Sequence, residues 1–282
     1  MKKYFENLLL VLFALVVMTA CKDEEGTTVG SDSQPKVTLY KYDAAPPADA
    51  DNDIVLRVAA NNKTESAYYI VETKAEKAAR GMSEAAYNDF VVSNGTKIEG
   101  VSGESYADVN VSGLYGDCVI TVVAVGGSNK VSSTYDFLGL EWNKVVTGTY
   151  TFGDYAVSRC GMPSKTTKVT MYVCKTDENL YKLKDLYGAG WSLKFTKTED
   201  TDKVGGVGVT FVRVSSTQLP YEYQDYGQMY LRDMAYGYNN DTYATSTAYG
   251  CYLFDDNRAY FTFRYGVSAG NVTWDNDEFV PD

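Results

Sequence analysis

From about residue 36 onward, apolar and polar residues take turns along short runs that Gly, Asn, Asp and Ser interrupt. Val169, Met171 and Val173 alternate with Lys168, Thr170 and Tyr172; Trp191, Leu193 and Phe195 alternate with Ser192, Lys194 and Thr196. A period of two puts each apolar set on one side of an extended strand, whereas a helix needs a period near 3.6. The expected fold class is therefore all-β. An N-terminal β-sandwich is followed by an antiparallel β-meander, closed as a barrel or folded as a sandwich.

Residues 36–140 form the first expected domain, with strands at "KVTLYKY", "DIVLRVAA", "SAYYIVET", "SYADVNVSGL", "DCVITVVAV" and "KVSSTYDF". In the second of these, Ile54, Leu56 and Val58 share a face; in the fifth, Cys118, Ile120, Val122 and Ala124 do, and the other face is nearly as apolar. One stretch departs from the pattern. "SEAAYNDFVVSNG" reads as a helix that Ser83 caps and Gly95 ends. Residues 141–147, "EWNKVVT", read as a link. Residues 148–282 then carry eight expected strands, from "TYTFGDYAV" to "RAYFTFRY", joined by short turns in an order that favours a barrel.

The stretch "VSGLYGDCVITVVAVGGSNKVSSTY" resembles the end of a fibronectin type III domain. A leucine and a turn precede an alternating strand, which ends in an alanine corner and a polar turn. The tyrosine usual in that strand is absent, with Cys118 and Ile120 at the nearest positions. The resemblance implies a sandwich and carries no function, since this fold hosts many.

Ahead of both regions stand Lys2 and Lys3, an apolar run from Leu8 to Val17, and the small residues Thr19 and Ala20 before Cys21. That is the layout of a secretory signal, and the run is too short for a span of about 20 residues. "VMTAC" resembles a bacterial lipobox, with Met18 where leucine is usual. The resemblance implies a signal peptide at 1–20 and an acylated Cys21. Lys22, Asp23, Glu24 and Glu25 resemble the export tag of Bacteroides-type surface lipoproteins, which implies an outer-membrane location facing the cell exterior. Residues 21–35 read as a flexible tether, and the last module is similar to the all-β modules that end many such lipoproteins. The membrane is then a partner through the lipid anchor alone.

The chain has no histidine, so imidazole bases and imidazole metal sites are excluded. Its net charge of −11 excludes a phosphate backbone as partner, so no nucleic acid is expected. Cys118, Cys160, Cys174 and Cys251 have no CxxC spacing. They allow three disulfide connectivities, of which Cys160–Cys174 is the pair to test; Cys118 reads as a core thiol. Asp49, Asp51 and Asp53 alternate as in a calcium loop, but Ile54 and Ala60 fill positions that loop needs for glycine and glutamate. They read as solvated acid, as do Asp255 with Asp256 and Asp275 with Asp277. No metal and no cofactor is expected.

The last region is dense in tyrosine: Tyr221, Tyr223, Tyr226, Tyr230, Tyr236, Tyr238, Tyr243, Tyr249 and Tyr252. Tyrosine is favoured on half-exposed strands, and it also gives a rigid apolar face with a polar tip, as recognition surfaces use. Tyr226, Tyr236, Tyr238, Tyr243 and Trp274 are the candidate ligand-contact residues, a stacking platform of the kind that suits sugars. The expected function is a non-enzymatic surface binding module for glycans. The alternative is a structural or adhesive protein that contacts other surface proteins.

Overall fold

The computed structural model describes residues 33–162 and 164–282. Cys21, the export tag at 22–25 and the signal at 1–20 lie outside the described residues. The chain divides into two compact units. One takes Met1–Tyr42, Leu56–Val109 and Cys118–Phe137, as far as these are described; the other takes Asp43–Val55, Asn110–Asp117 and Leu138–Asp282.

In the first part of the chain the order is β1 (Val37–Asp43), β2 (Ile54–Ala60), β3 (Ser66–Thr73), α1 (Lys74–Ala79), α2 (Glu84–Asn94), β4 (Thr96–Lys97), β5 (Tyr106–Val111), β6 (Gly116–Gly126) and β7 (Asn129–Gly139). These strands make two antiparallel sheets, β1-β2-β5 and β4-β3-β6-β7. Ile54, Leu56 and Val58 are each buried, as their alternation requires. In β6 every residue from Cys118 to Ala124 is buried. Its second apolar face is explained by α2, which lays Tyr87 and Val91 against Val123.

Helix α2 begins and ends where the sequence places it. The Ser83 hydroxyl accepts from Ala86 N. A side chain at Gly95 would run into the carbonyl oxygens of Val91 and Tyr69 at 2.5 and 2.6 Å. Helix α1 is an addition to the expected elements. Thr73 and Glu76 cap it reciprocally, Thr73 Oγ1 accepting from Glu76 N and Glu76 Oε2 accepting from Thr73 N.

The second part runs β8 (Trp142–Thr151), α3 (Asp154–Cys160), β9 (Thr166–Cys174), β10 (Leu180–Leu183), β11 (Leu193–Val204), β12 (Val207–Arg213), β13 (Thr217–Glu222), β14 (Gln228–Asp233), α4 (Met234–Tyr238), β15 (Cys251–Phe254), β16 (Ala259–Val267) and β17 (Gly270–Pro281). Eight of these strands close a ring, β8-β9-β10-β11-β12-β15-β16-β17, and β17 pairs back onto β8. The meander is thus an antiparallel β-barrel. Strand β15 pairs with the first residues of β16, at Ala259 and Tyr260. Strand β14 takes the same edge further on, from Phe263 to Gly266, and carries β13 beyond it.

An eight-stranded barrel leaves an interior that side chains can just fill, and here aromatic rings fill it. Tyr150, Phe195, Phe261, Phe263, Tyr265 and Phe279 meet in one core with Met171 and Leu193. Along β16, Phe261, Phe263 and Tyr265 enter that core, so Tyr260, Thr262 and Arg264 face outward.

Three expectations fail locally. Residues 141–147 are not a link, since β8 already starts at Trp142. "TYTFGDYAV" is not one strand, because at Gly153 the chain turns into α3, which adds Ala156 and Cys160 to the barrel core. Asp275 and Asp277 are not solvated acid but lie in the middle of β17, the strand that closes the barrel. Strand β13 also lay unforeseen, because it contains Pro220. Proline is tolerated there because β13 is an edge strand.

Candidate functional site

Asp277 is the most enclosed acid of the barrel. It is fully buried, and its Oδ2 accepts from the hydroxyls of Tyr150 and Tyr265, each at 2.8 Å. Its Oδ1 accepts from Gly153 N at 2.8 Å. Burial pushes Asp277 up to about 6 against the pull of these three donors. Burial, and then the charge of Asp277, push both tyrosines well above their ordinary value. Tyr187 is buried alongside, its hydroxyl without a hydrogen-bond partner of ordinary geometry.

Two residues earlier, Asp275 Oδ2 accepts from Tyr155 N at 2.6 Å and Ala156 N at 2.9 Å. It caps the first turn of α3. Neither acid is the solvated loop acid that the sequence suggests. Both tie α3 to β17.

The Asp49–Asp53 stretch, which belongs to the second unit, is corrected in the same way. Lys182 on β10 and Lys194 on β11 are register partners facing outward from the barrel. Lys182 is only 2% exposed and donates to Asp49 Oδ2 at 3.0 Å and Asp51 Oδ2 at 2.9 Å. Lys194 donates to Asp51 Oδ1 at 2.5 Å. Lys182 Nζ also sits 4.3 Å from the centroid of the Trp142 ring. Burial pushes Asp51 up, but the two lysines outweigh it and hold the carboxyl below its usual range. Among the described residues, no group of three or more Cys, Asp or Glu is placed to hold a metal ion.

All four described cysteines are buried, and Cys160 and Cys174 are not joined. Burial pushes Cys160 up to about 12 and raises Cys251 further. Neither is a nucleophile in the folded chain.

The outer face around β14, β16 and β17 gathers most of the candidate contact residues. Arg232 and Arg264 are register partners on β14 and β16, and Trp274 is the partner of Arg264 on β17. The three therefore form one outward row across three strands. Helix α4 follows β14 and lies over it. Asp233 caps it, its Oδ1 accepting from Tyr236 N at 2.6 Å. Gly237 permits the close approach, since a Cβ there would stand 2.8 Å from Arg264 Cδ. Its carbonyl oxygen accepts from Arg264 Nη1.

The helix thereby sets Tyr236 beside Arg232, ring centroid 5.7 Å from the guanidinium, and Tyr238 beside Arg264 at 4.8 Å. Tyr236, Tyr238 and Trp274 are 51%, 46% and 47% exposed. Tyr243 packs edge-on to Tyr238 at 6.2 Å, and Tyr249 lies 5.2 Å from Tyr243.

Four of the five candidate contact residues thus belong to one neighbourhood. The fifth, Tyr226, is exposed but sits in the turn between β13 and β14, stacked on Tyr223. The length of β14, about 20 Å at the usual rise per residue, separates it from α4. Sequence reasoning missed Arg232 and Arg264 altogether. The available signal was their place at outward positions of alternating strands beside the tyrosine-rich run.

No protein-family model, curated protein or solved structure matches the chain.

Proposed function

We propose that the chain is a non-enzymatic cell-surface lipoprotein that binds glycans on the outer face of its C-terminal β-barrel. The observation that carries this reading is the exposed aromatic row. Tyr236, Tyr238 and Trp274 are each about half-exposed within one patch, the two tyrosine rings beside the guanidiniums of Arg232 and Arg264 and Trp274 opposite Arg264. Aromatic faces suit the C–H face of a sugar ring, while hydroxyl tips and guanidinium donors suit its hydroxyl groups. A barrel core closed by its own rings supports a surface site over an interior one.

Placement at the cell exterior rests on the sequence: the lipobox ending at Cys21 and the acidic tag at 22–25. The N-terminal sheets, ordered β1-β2-β5 and β4-β3-β6-β7, support the fibronectin type III resemblance. A glycan array probed with the full chain tests the reading. Selective signals on a subset of glycans are expected. A blank array with folded protein overturns it and transfers weight to contact with other surface proteins.

A further inference from the structure

We propose that Arg232 and Arg264 make this surface selective for acidic glycans, binding a sugar carboxylate or sulfate group between them. The inference rests on the glycan-binding reading and names its ligand class.

The chain supplies its own comparison. Two pairs of cations stand as register partners on the outside of the second unit: Lys182 with Lys194, and Arg232 with Arg264. Like charges directly opposite on neighbouring strands repel. The lysine pair is neutralised from within, by Asp51 shared between both and Asp49 on one. The arginine pair has no such partner: among the described residues no carboxylate forms an ion pair with either guanidinium. The acid nearest in sequence, Asp233, points the other way. Arg213 Nε at 2.8 Å and Val214 N at 2.9 Å occupy its Oδ2, and Tyr236 N and Arg213 Nη2 occupy its Oδ1.

Two cations have thus been placed together without an internal anion, on a chain of net charge −11. Both line one cavity of about 200 Å³ with Val267 and Ser268. That is below the roughly 300–1,000 Å³ that encloses a small-molecule ligand, so it admits one charged group while the rest of the sugar lies outside. The occupant is planar or tetrahedral oxyanion chemistry, which guanidinium forks match with paired hydrogen bonds. Tyr236 and Tyr238 lie against the same two guanidiniums and Trp274 is next along the row, so an anion held there brings its sugar ring to an aromatic face.

The test is calorimetric titration of the full chain with three probes: tetragalacturonate, its fully methyl-esterified counterpart, and a heparin tetrasaccharide. The acid form, or the sulfated probe, is expected to bind about tenfold or more tightly than the neutral ester, one charged contact being worth about that factor. Which acidic probe wins separates carboxylate from sulfate. Arg232→Gln is expected to remove that advantage, and Arg264→Lys to keep part of it, with thermal unfolding unchanged for Arg232→Gln. Equal binding of acid and ester, with no preference for the heparin probe, overturns the acidic-ligand inference and leaves the glycan reading standing. Failure of all three probes on a chain whose array is also blank removes both.

Discussion

Lys182, almost wholly buried on the outside of the barrel, donates to Asp51 at 2.9 Å, and Asp51 in turn accepts from Lys194. The contact gives an acidic run that reads as solvated loop a structural role within its unit. Breaking a buried pair costs about 3–5 kcal/mol; removal of Asp51 leaves Lys182 with Asp49, which places the cost at the lower end of that range. Asp51→Ala is therefore expected to destabilise the chain by about that much in urea unfolding at pH 7. The double change Asp51→Leu, Lys182→Met is expected to cost less than Asp51→Ala alone, because no buried charge is left behind. The Asp51 carboxyl is held low in the fold, so its contribution is present above pH 4 and disappears as pH falls further. The penalty of Asp51→Ala shrinks in the same direction.

Asp277 carries the opposite sign. Its pKa is raised to about 6 in the fold and lies near 3.9 when unfolded. The protonated form is favoured by folding, so its contribution is full below pH 4 and is lost as pH rises through 6. The difference across that window is on the order of 3 kcal/mol. Asp277→Asn keeps an acceptor for Gly153 N and has no ionisation to suppress. Its penalty, measured by denaturant unfolding from pH 4 to pH 7.5, is expected to be larger at pH 4 than at pH 7.5. A penalty that grows with pH contradicts the assignment.

Much of this architecture is legible in the sequence, and what is not has a physical reason. Alternation exposed β9, β11 and β16, because one of their faces is apolar and the other polar. It missed β17, because the run Asp275-Asn276-Asp277-Glu278 breaks the alternation with residues that are poor strand formers in isolation. They are tolerated because Asp275 meets the free backbone N–H groups of α3, and Asp277 meets Gly153 N and two tyrosine hydroxyls. Both sets of donors lie more than 110 residues away or across a hairpin, where no local pattern reaches. Helix α1 was different: Thr73-Lys74-Ala75-Glu76 is a capping box readable in four residues. Within the candidate site the tyrosines were visible as a cluster. The arginine pair was not, since its meaning lies in a register and in the absence of an ion-pair partner.

The four described thiols give a further check. Cys118, Cys160, Cys174 and Cys251 are buried, and the thiolate is the reactive form. Ellman's reagent is expected to leave all four unmodified in the native chain and to modify all four in denaturant. Rapid native modification at Cys160 contradicts the placement of α3 in the barrel core.

Anchoring is testable apart from binding. Cys21→Ser is expected to move the chain from the membrane fraction to the soluble fraction on detergent-free fractionation. Retention in the membrane contradicts lipidation at that residue.

The most direct test of the surface site is the glycan array run in parallel on the unaltered chain and on the Tyr238→Ala, Trp274→Ala double variant. Both side chains are exposed, so the variant is expected to keep its thermal transition and to lose the selective signals. Signals unchanged in a folded double variant would place the binding surface elsewhere and contradict the account.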